Sequence, residues 1–172
     1  MRGLKIFSSG LLAVFAAGCA GYHLGPVKPD VVAGAQSIEV VPFNNQTLQP
    51  RLGDAVTQAL RERLQTDGTY RLATRSPGDV VVTGVIMDYH REGMSFLRTD
   101  VTTAENYRVE ITAHVTARDR ATGKVLLDKN GVKGYTLVQV GTDLTDAERQ
   151  SLPLLAEDLA RNVASLLTEG AW

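Results

Sequence analysis

The chain has almost none of the residues and patterns from which active sites and metal centres are assembled. Its 172 residues include a single cysteine, Cys19, so no disulfide can form within one chain. The three histidines, His23, His90 and His114, are scattered, and none falls in an H-E-x-x-H helix spacing. A metal or catalytic histidine would therefore lack the further groups that such a site requires. There is no G-x-S-x-G elbow, no phosphate-binding P-loop and no dinucleotide glycine pattern. These absences argue against an enzyme, a resident metal and a cofactor. An excess of one charge is lacking too: 18 Lys and Arg face 19 Asp and Glu, a net charge of -1, which is not the balance of a nucleic-acid binder. A long hydrophobic run is also missing. The apolar stretch from Ile6 to Ala17 is interrupted by Ser8, Ser9 and Gly10 and falls short of the roughly 20 residues that a membrane-spanning helix needs.

What that short stretch does have is the layout of a secretory signal. Arg2 and Lys5 supply a positive region and Leu11 to Ala17 an apolar one. It ends in Ala16-Ala17-Gly18-Cys19, which resembles the lipobox of bacterial lipoproteins, where small residues precede a cysteine that is acylated before cleavage. The leucine usual three positions before the cysteine is replaced here by Ala16, and an ordinary signal-peptidase site can be read from the same small residues. The expectation is a signal peptide over 1–18 and a lipid attached at Cys19. Each buried acyl methylene contributes about 0.8 kcal/mol, and two or more chains make the anchoring stable. Ala20 follows the cysteine in place of the aspartate that resembles an inner-membrane retention cue, so the expected destination is the periplasmic face of the outer membrane. Removing the signal takes away two basic residues and no acid, leaving 16 against 19. The remaining 154 residues suit one compact domain.

Residues 19–36 carry Pro26, Pro29 and several glycines with little periodicity, and are expected to form a tether ahead of a domain over 37–172. Ser37 to Phe43 has the β-branched content of a first strand, closed by a turn at Asn44-Asn45. From Pro50 to Thr66, Leu52, Val56, Ala59, Leu60 and Leu64 recur at helical spacing, and Asp67-Gly68 stops the helix. Tyr70 to Thr74 suggests a short strand. Val80 to Met87 is apolar on both faces, as a central strand would be. Tyr107 to Arg118 alternates apolar with polar over twelve residues, which predicts a strand with one buried face. The turn at Arg120 to Lys124 then predicts an antiparallel hairpin to Val125-Leu126-Leu127, with a strand running as far as Val140 and bending at Gly131 or Gly134. Leu152, Leu155, Leu159, Val163 and Leu167 form the strongest helical stripe, with either Thr145 or Ser151 as its cap because Pro153 interrupts it. The fold class expected is α+β, with two helices on one face of a four-stranded antiparallel or mixed sheet. The connection from His90 to Asn106 is long or protrudes as a hairpin, and such connections often carry function.

Several of these segments, taken in order, resemble the LptE family of lipopolysaccharide-assembly lipoproteins. They are Gly18-Cys19-Ala20-Gly21-Tyr22-His23-Leu24, Phe43 to Leu52, the Thr122-Gly123-Lys124-Val125-Leu126 turn, and Glu148-Arg149-Gln150 leading to Ala156-Glu157-Asp158-Leu159. The resemblance implies an α/β sandwich held in the lumen of an LptD-type outer-membrane β-barrel, where it plugs the barrel, helps it assemble and contacts lipopolysaccharide. A second reading stays open, because Val41-Pro42-Phe43-Asn44-Asn45 before a helix also resembles oligomeric envelope lipoproteins of the curli-secretion or TolB N-terminal type.

A protein that touches phosphorylated, acylated sugars would use Arg or Lys beside apolar surface. Arg118, Arg120 and Lys124, around one hairpin end, are the candidate lipopolysaccharide contacts, with Lys129 and Lys133 further along. The plain alternative for them is a solvated turn. Phe96 and Leu97, in the long connection, are candidate partner contacts; for Tyr107, core packing fits better.

Overall fold

The computed structural model of the protein describes residues 35–97, 100–139 and 144–169, and the side chains among them other than those of 96–105. The signal segment, Cys19 and the tether lie outside the described residues, as do the side chains of Phe96 and Leu97. Eight elements follow in order: β1 (Ser37–Val40), β2 (Asn44–Asn45), α1 (Leu52–Asp67), β3 (Arg71–Leu72), β4 (Val80–Leu97), β5 (Asp100–Asp119), β6 (Val125–Gln139) and α2 (Leu144–Thr168). The class is α+β with a mixed sheet, as expected, but the sheet has six strands rather than four. Its order is β3-β1-β4-β5-β6, with β2 also paired to β4.

Two of the six are only two residues long: β3, which falls within the short strand expected at Tyr70 to Thr74, and β2, which exists through its pairing with β4. β1 and β2 are pieces of a single line beside β4: Ile38 to Val40 pair in parallel with Val80 to Val82, and Asn44-Asn45 with Val85-Ile86. Between them Pro42 has no N–H to give to the ladder, and the line breaks there. The asparagines expected as a turn are therefore a strand. At the break, the Phe43 N–H donates to Thr57 Oγ1 at 2.9 Å and the Thr57 hydroxyl donates to Gly53 O at 2.6 Å. The Phe43 ring is laid over Gly84, where a methyl group would come within 2.1 Å of it. One short segment thus ties the sheet to the first helix.

β5 shows why the alternation was legible. Val109, Ile111, Ala113, Val115 and Ala117 are buried, while the residues between them stay in partial contact with water. Both helices pack on the buried face, and α1 and α2 also pack on each other. The opposite face carries Glu110, Thr112, His114 and Thr116 from β5 and Lys133, Tyr135 and Leu137 from β6. In β4 the parity changes midway: Ile86 pairs with Ala113 but Asp88 with Thr112, so Met87 is one extra residue, a β-bulge. Before the bulge Val80, Val82 and Ile86 face the helices; after it Tyr89 and Arg91, opposite Ile111 and Val109, do so. β6 has a bulge as well, between Lys129 and Val132, where Gly131 takes a φ of 74°.

α1 ends as the sequence predicts, with Gly68 left-handed and its N–H on Leu64 O. α2 is one helix of 25 residues with Pro153 inside it. It starts at Leu144, and Ser151, instead of capping, lies within it and donates to Glu148 O at 2.8 Å. At Gly134 the helix comes so close to β6 that a methyl group would sit 2.6 Å from the Leu159 nitrogen. Beside that contact Asp158 Oδ2 accepts the Tyr135 N–H at 3.0 Å and Asn162 Nδ2 donates to Lys133 O at 2.7 Å. Side chains of α2 therefore occupy backbone groups on the outer edge of the last strand, one of the ways proteins keep an edge from pairing with another chain.

Candidate functional site

The sheet has two ends of different character. At the hairpin end, β4 and β5 run on past the point where β2 stops and both helices begin. Asn45 shapes the adjoining loop: its Oδ1 accepts the Thr47 N–H at 3.0 Å and hydroxyl at 2.7 Å, and its Nδ2 donates to Gln49 O at 2.7 Å. Leu48, at the tip, is fully exposed. Arg51 then enters α1 with a φ of 62°, a left-handed conformation that costs a non-glycine residue about 1 kcal/mol.

Because the Met87 bulge turns Arg91 toward the helices, its Nη1 meets Glu148 Oε1 of α2 at 2.8 Å. Glu148 is only 9 % exposed, and this pairing is what permits its charge there. The Tyr89 hydroxyl lies buried beside them with no hydrogen-bond partner among the described residues. Burial first, then the charge of Glu148, pushes its pKa up to about 12. Two cavities share Gln49 and Glu148 in their walls. One, of about 470 Å³, includes Leu48, Met87 and Tyr89; the other, of about 710 Å³, includes Pro50, Arg149, Leu152 and Pro153. The acid on the apolar stripe of α2, in step with Leu152, Leu155 and Leu159, was a readable sign that a cation would be found opposite. Nothing in the sequence around Arg91 said that it would supply the charge.

The entry end is where the chain enters β1 beside the β5–β6 turn. Asp79 Oδ2 accepts the N–H groups of Gln36 and Ser37 and the Ser37 hydroxyl, each at 2.9 Å, and these bonds hold its pKa below the usual carboxylate value. Asp119 Oδ1 accepts the Thr122 N–H and hydroxyl at 2.7 Å, with the same consequence. Arg118, Arg120 and Lys124 come to this end together, and all are exposed. Their roles differ: Arg120 Nε donates to Gly78 O at 2.8 Å and its Nη2 pairs with Glu39, whereas Arg118 and Lys124 form no ion pair among the described residues. Lys133 pairs with Glu110 at 2.6 Å, and Arg108 stacks 4.2 Å from the centre of the Tyr135 ring on the open sheet face. The backbone of Phe96 and Leu97 belongs to the hairpin-end portion of β4.

Among the described residues no group of His, Cys, Asp and Glu converges to hold a metal ion, and no helix is long and apolar enough to cross a membrane. His90 sits on the open face opposite Glu110, and His114 contacts Asp128.

A similar fold occurs in solved structures of other bacterial proteins. A protein from Caulobacter crescentus described as a lipoprotein shares 11 % identity at a TM-score of 0.52, over 74 % of this chain and 88 % of that one. A minor lipoprotein from Acinetobacter baumannii gives 12 %, 0.52, 79 % and 94 %, and a hypothetical protein from Chlamydia trachomatis 9 %, 0.56, 79 % and 97 %. At such identities the likeness is one of fold. No curated protein matches the chain. The sequence profile of LptE, described as lipopolysaccharide-assembly, matches residues 35–167, from two residues before the first strand almost to the end of the last helix. The chain belongs to the LptE family.

Proposed function

We propose that this protein is a non-enzymatic component of lipopolysaccharide assembly, anchored by an acylated Cys19 to the periplasmic face of the outer membrane and partnered with an LptD-type β-barrel. The observation that carries the reading is the family match over the whole described domain. The architecture supports it. One sheet face is sealed by helices, and the other offers Tyr135, Leu137 and a set of charged side chains to a partner. On the outer edge of β6 the Tyr135 N–H and the Lys133 carbonyl are taken by Asp158 and Asn162, which favours contact through the open face and the hairpin end, with Phe96 and Leu97 as its apolar contacts. Arg118 and Lys124, which form no ion pair among the described residues, serve as lipopolysaccharide contacts; Arg120 holds the turn that presents them.

The test is affinity purification of the chain from its native envelope, with identification of what accompanies it. A very large β-barrel protein is the expected partner, and depletion of the chain should lower surface lipopolysaccharide. Recovery as a ring of identical copies with no barrel would refute the reading.

A further inference from the structure

A cavity of about 480 Å³ lies beside β1 where β3 has ceased to pair with it. Three arginines from three separate parts of the chain line it: Arg61 from the middle of α1, Arg75 from the turn after β3, and Arg120 from the β5–β6 turn. Only one carboxylate lines it, that of Glu39, and it is already engaged by Arg120 and by the Gly78 N–H at 3.0 Å. Arg61 Nη2 donates to Val40 O at 2.7 Å, which fixes the guanidinium while using one of its five N–H donors. Neither Arg61 nor Arg75 forms an ion pair among the described residues. The hydroxyl-bearing Thr74 and Ser76 lie in the same wall.

We infer that this cavity is a binding site for a phosphate monoester, carried on a lipid headgroup or free as inorganic phosphate. A phosphomonoester dianion has two charges to set against the two uncompensated arginines, and three terminal oxygens that accept from forked N–H donors and hydroxyls. Arginine fits that geometry better than lysine because its planar fork meets two oxygens at once. The site is separate from Arg118 and Lys124, and its chemistry does not depend on the barrel-partner reading.

Nuclear magnetic resonance of the isotope-labelled full chain in neutral detergent micelles tests it, through the Nε–H signals of Arg61 and Arg75. Inorganic phosphate, titrated against chloride at constant ionic strength, or phosphatidic acid added to the micelles should shift both signals saturably. A response to inorganic phosphate identifies a free-anion site, and a response to phosphatidic acid alone identifies a headgroup site; either supports the assignment. Arg75→Gln, which removes a side chain with no hydrogen-bond or ion-pair partner among the described residues, should weaken binding about tenfold with an unchanged melting temperature. Arg61→Gln should do the same to binding, and Arg63→Gln, on α1 but outside the cavity, should stay within about twofold. If Arg61→Gln fails to fold, Arg75→Gln decides alone. No saturable shift with either probe, or unaltered affinity in Arg75→Gln, would overturn the proposal.

Discussion

Replacing Gly134 with alanine would drive a methyl group into the backbone of the helix that covers β6. The new carbon would stand 2.6 Å from Leu159 N, 2.7 Å from its Cβ and 2.8 Å from its Cα. Ordinary contact begins nearer 3.5 Å, so α2 would have to retreat by most of an ångström. It cannot do so freely. Asp158 and Asn162, on either side of Leu159, are bonded to the Tyr135 N–H and the Lys133 carbonyl. Overpacking of this kind costs about 1–3 kcal/mol, and stretching the two bonds adds about 1 kcal/mol. The lower entropy of the unfolded alanine chain returns about 0.4–1 kcal/mol. The expected net loss is about 2 kcal/mol, or about 5 °C in melting temperature for a domain of this size. Urea denaturation of the two proteins measures it, with Gly131→Ala as the reference. Gly131 has a φ of 74° but nothing within 4 Å of its missing side chain, so its cost is conformational only, about 1 kcal/mol. A Gly134→Ala variant as stable as the native protein would show that helix and strand do not meet as described.

Acid should unfold the protein partly through Asp79 and Asp119. Both pKa values are lowered in the fold by hydrogen bonds, so the stability they add is present above the unfolded value near 3.9 and disappears as pH falls through the folded one. Asp79→Asn should flatten the acid limb of a stability profile measured against pH. At the alkaline extreme the sign reverses: Tyr70 and Tyr89 are raised to about 12, chiefly by burial, so their contribution is complete below about 10 and lost as pH rises through about 12. Tyrosinate absorbance should show these two titrating after the exposed ones; a single step near pH 10 would contradict their burial. Mass spectrometry of the envelope-extracted protein should find an acylated Cys19 at the mature N-terminus, and Cys19→Ala should leave the chain unanchored. An unmodified Cys19 would count against the lipoprotein assignment.

The parts of the fold that could be read from the sequence are those with one dry side and one wet side. β5 alternates because helices cover one of its faces, and α1 and α2 carry stripes because each packs by one side. The strand β2 could not be read, since two asparagines form a strand only when β4 runs alongside. The Met87 bulge was hidden within an apolar run, where Val80, Val81 and Val82 look alike whichever way they face. Pro153 suggested a break in α2, but packing on α1 and the sheet carries the helix through it. The candidate sites were legible to different degrees. Arg118, Arg120 and Lys124 are neighbours in sequence, so a shared turn was evident, although the engagement of Arg120 with Glu39 joins residues 81 positions apart. Arg61, Arg75 and Arg120 meet only because a helix and two turns converge beside β1, and no local spacing announces that.

The bonds from α2 to the outer edge of β6 bear on whether the sheet can be extended there. A sheet grows by one strand only where the backbone N–H and C=O groups of its edge are still open. With Asp158 on the Tyr135 N–H and Asn162 on the Lys133 carbonyl, a further strand could pair with β6 across Lys133 to Tyr135 only by first displacing both side chains of α2.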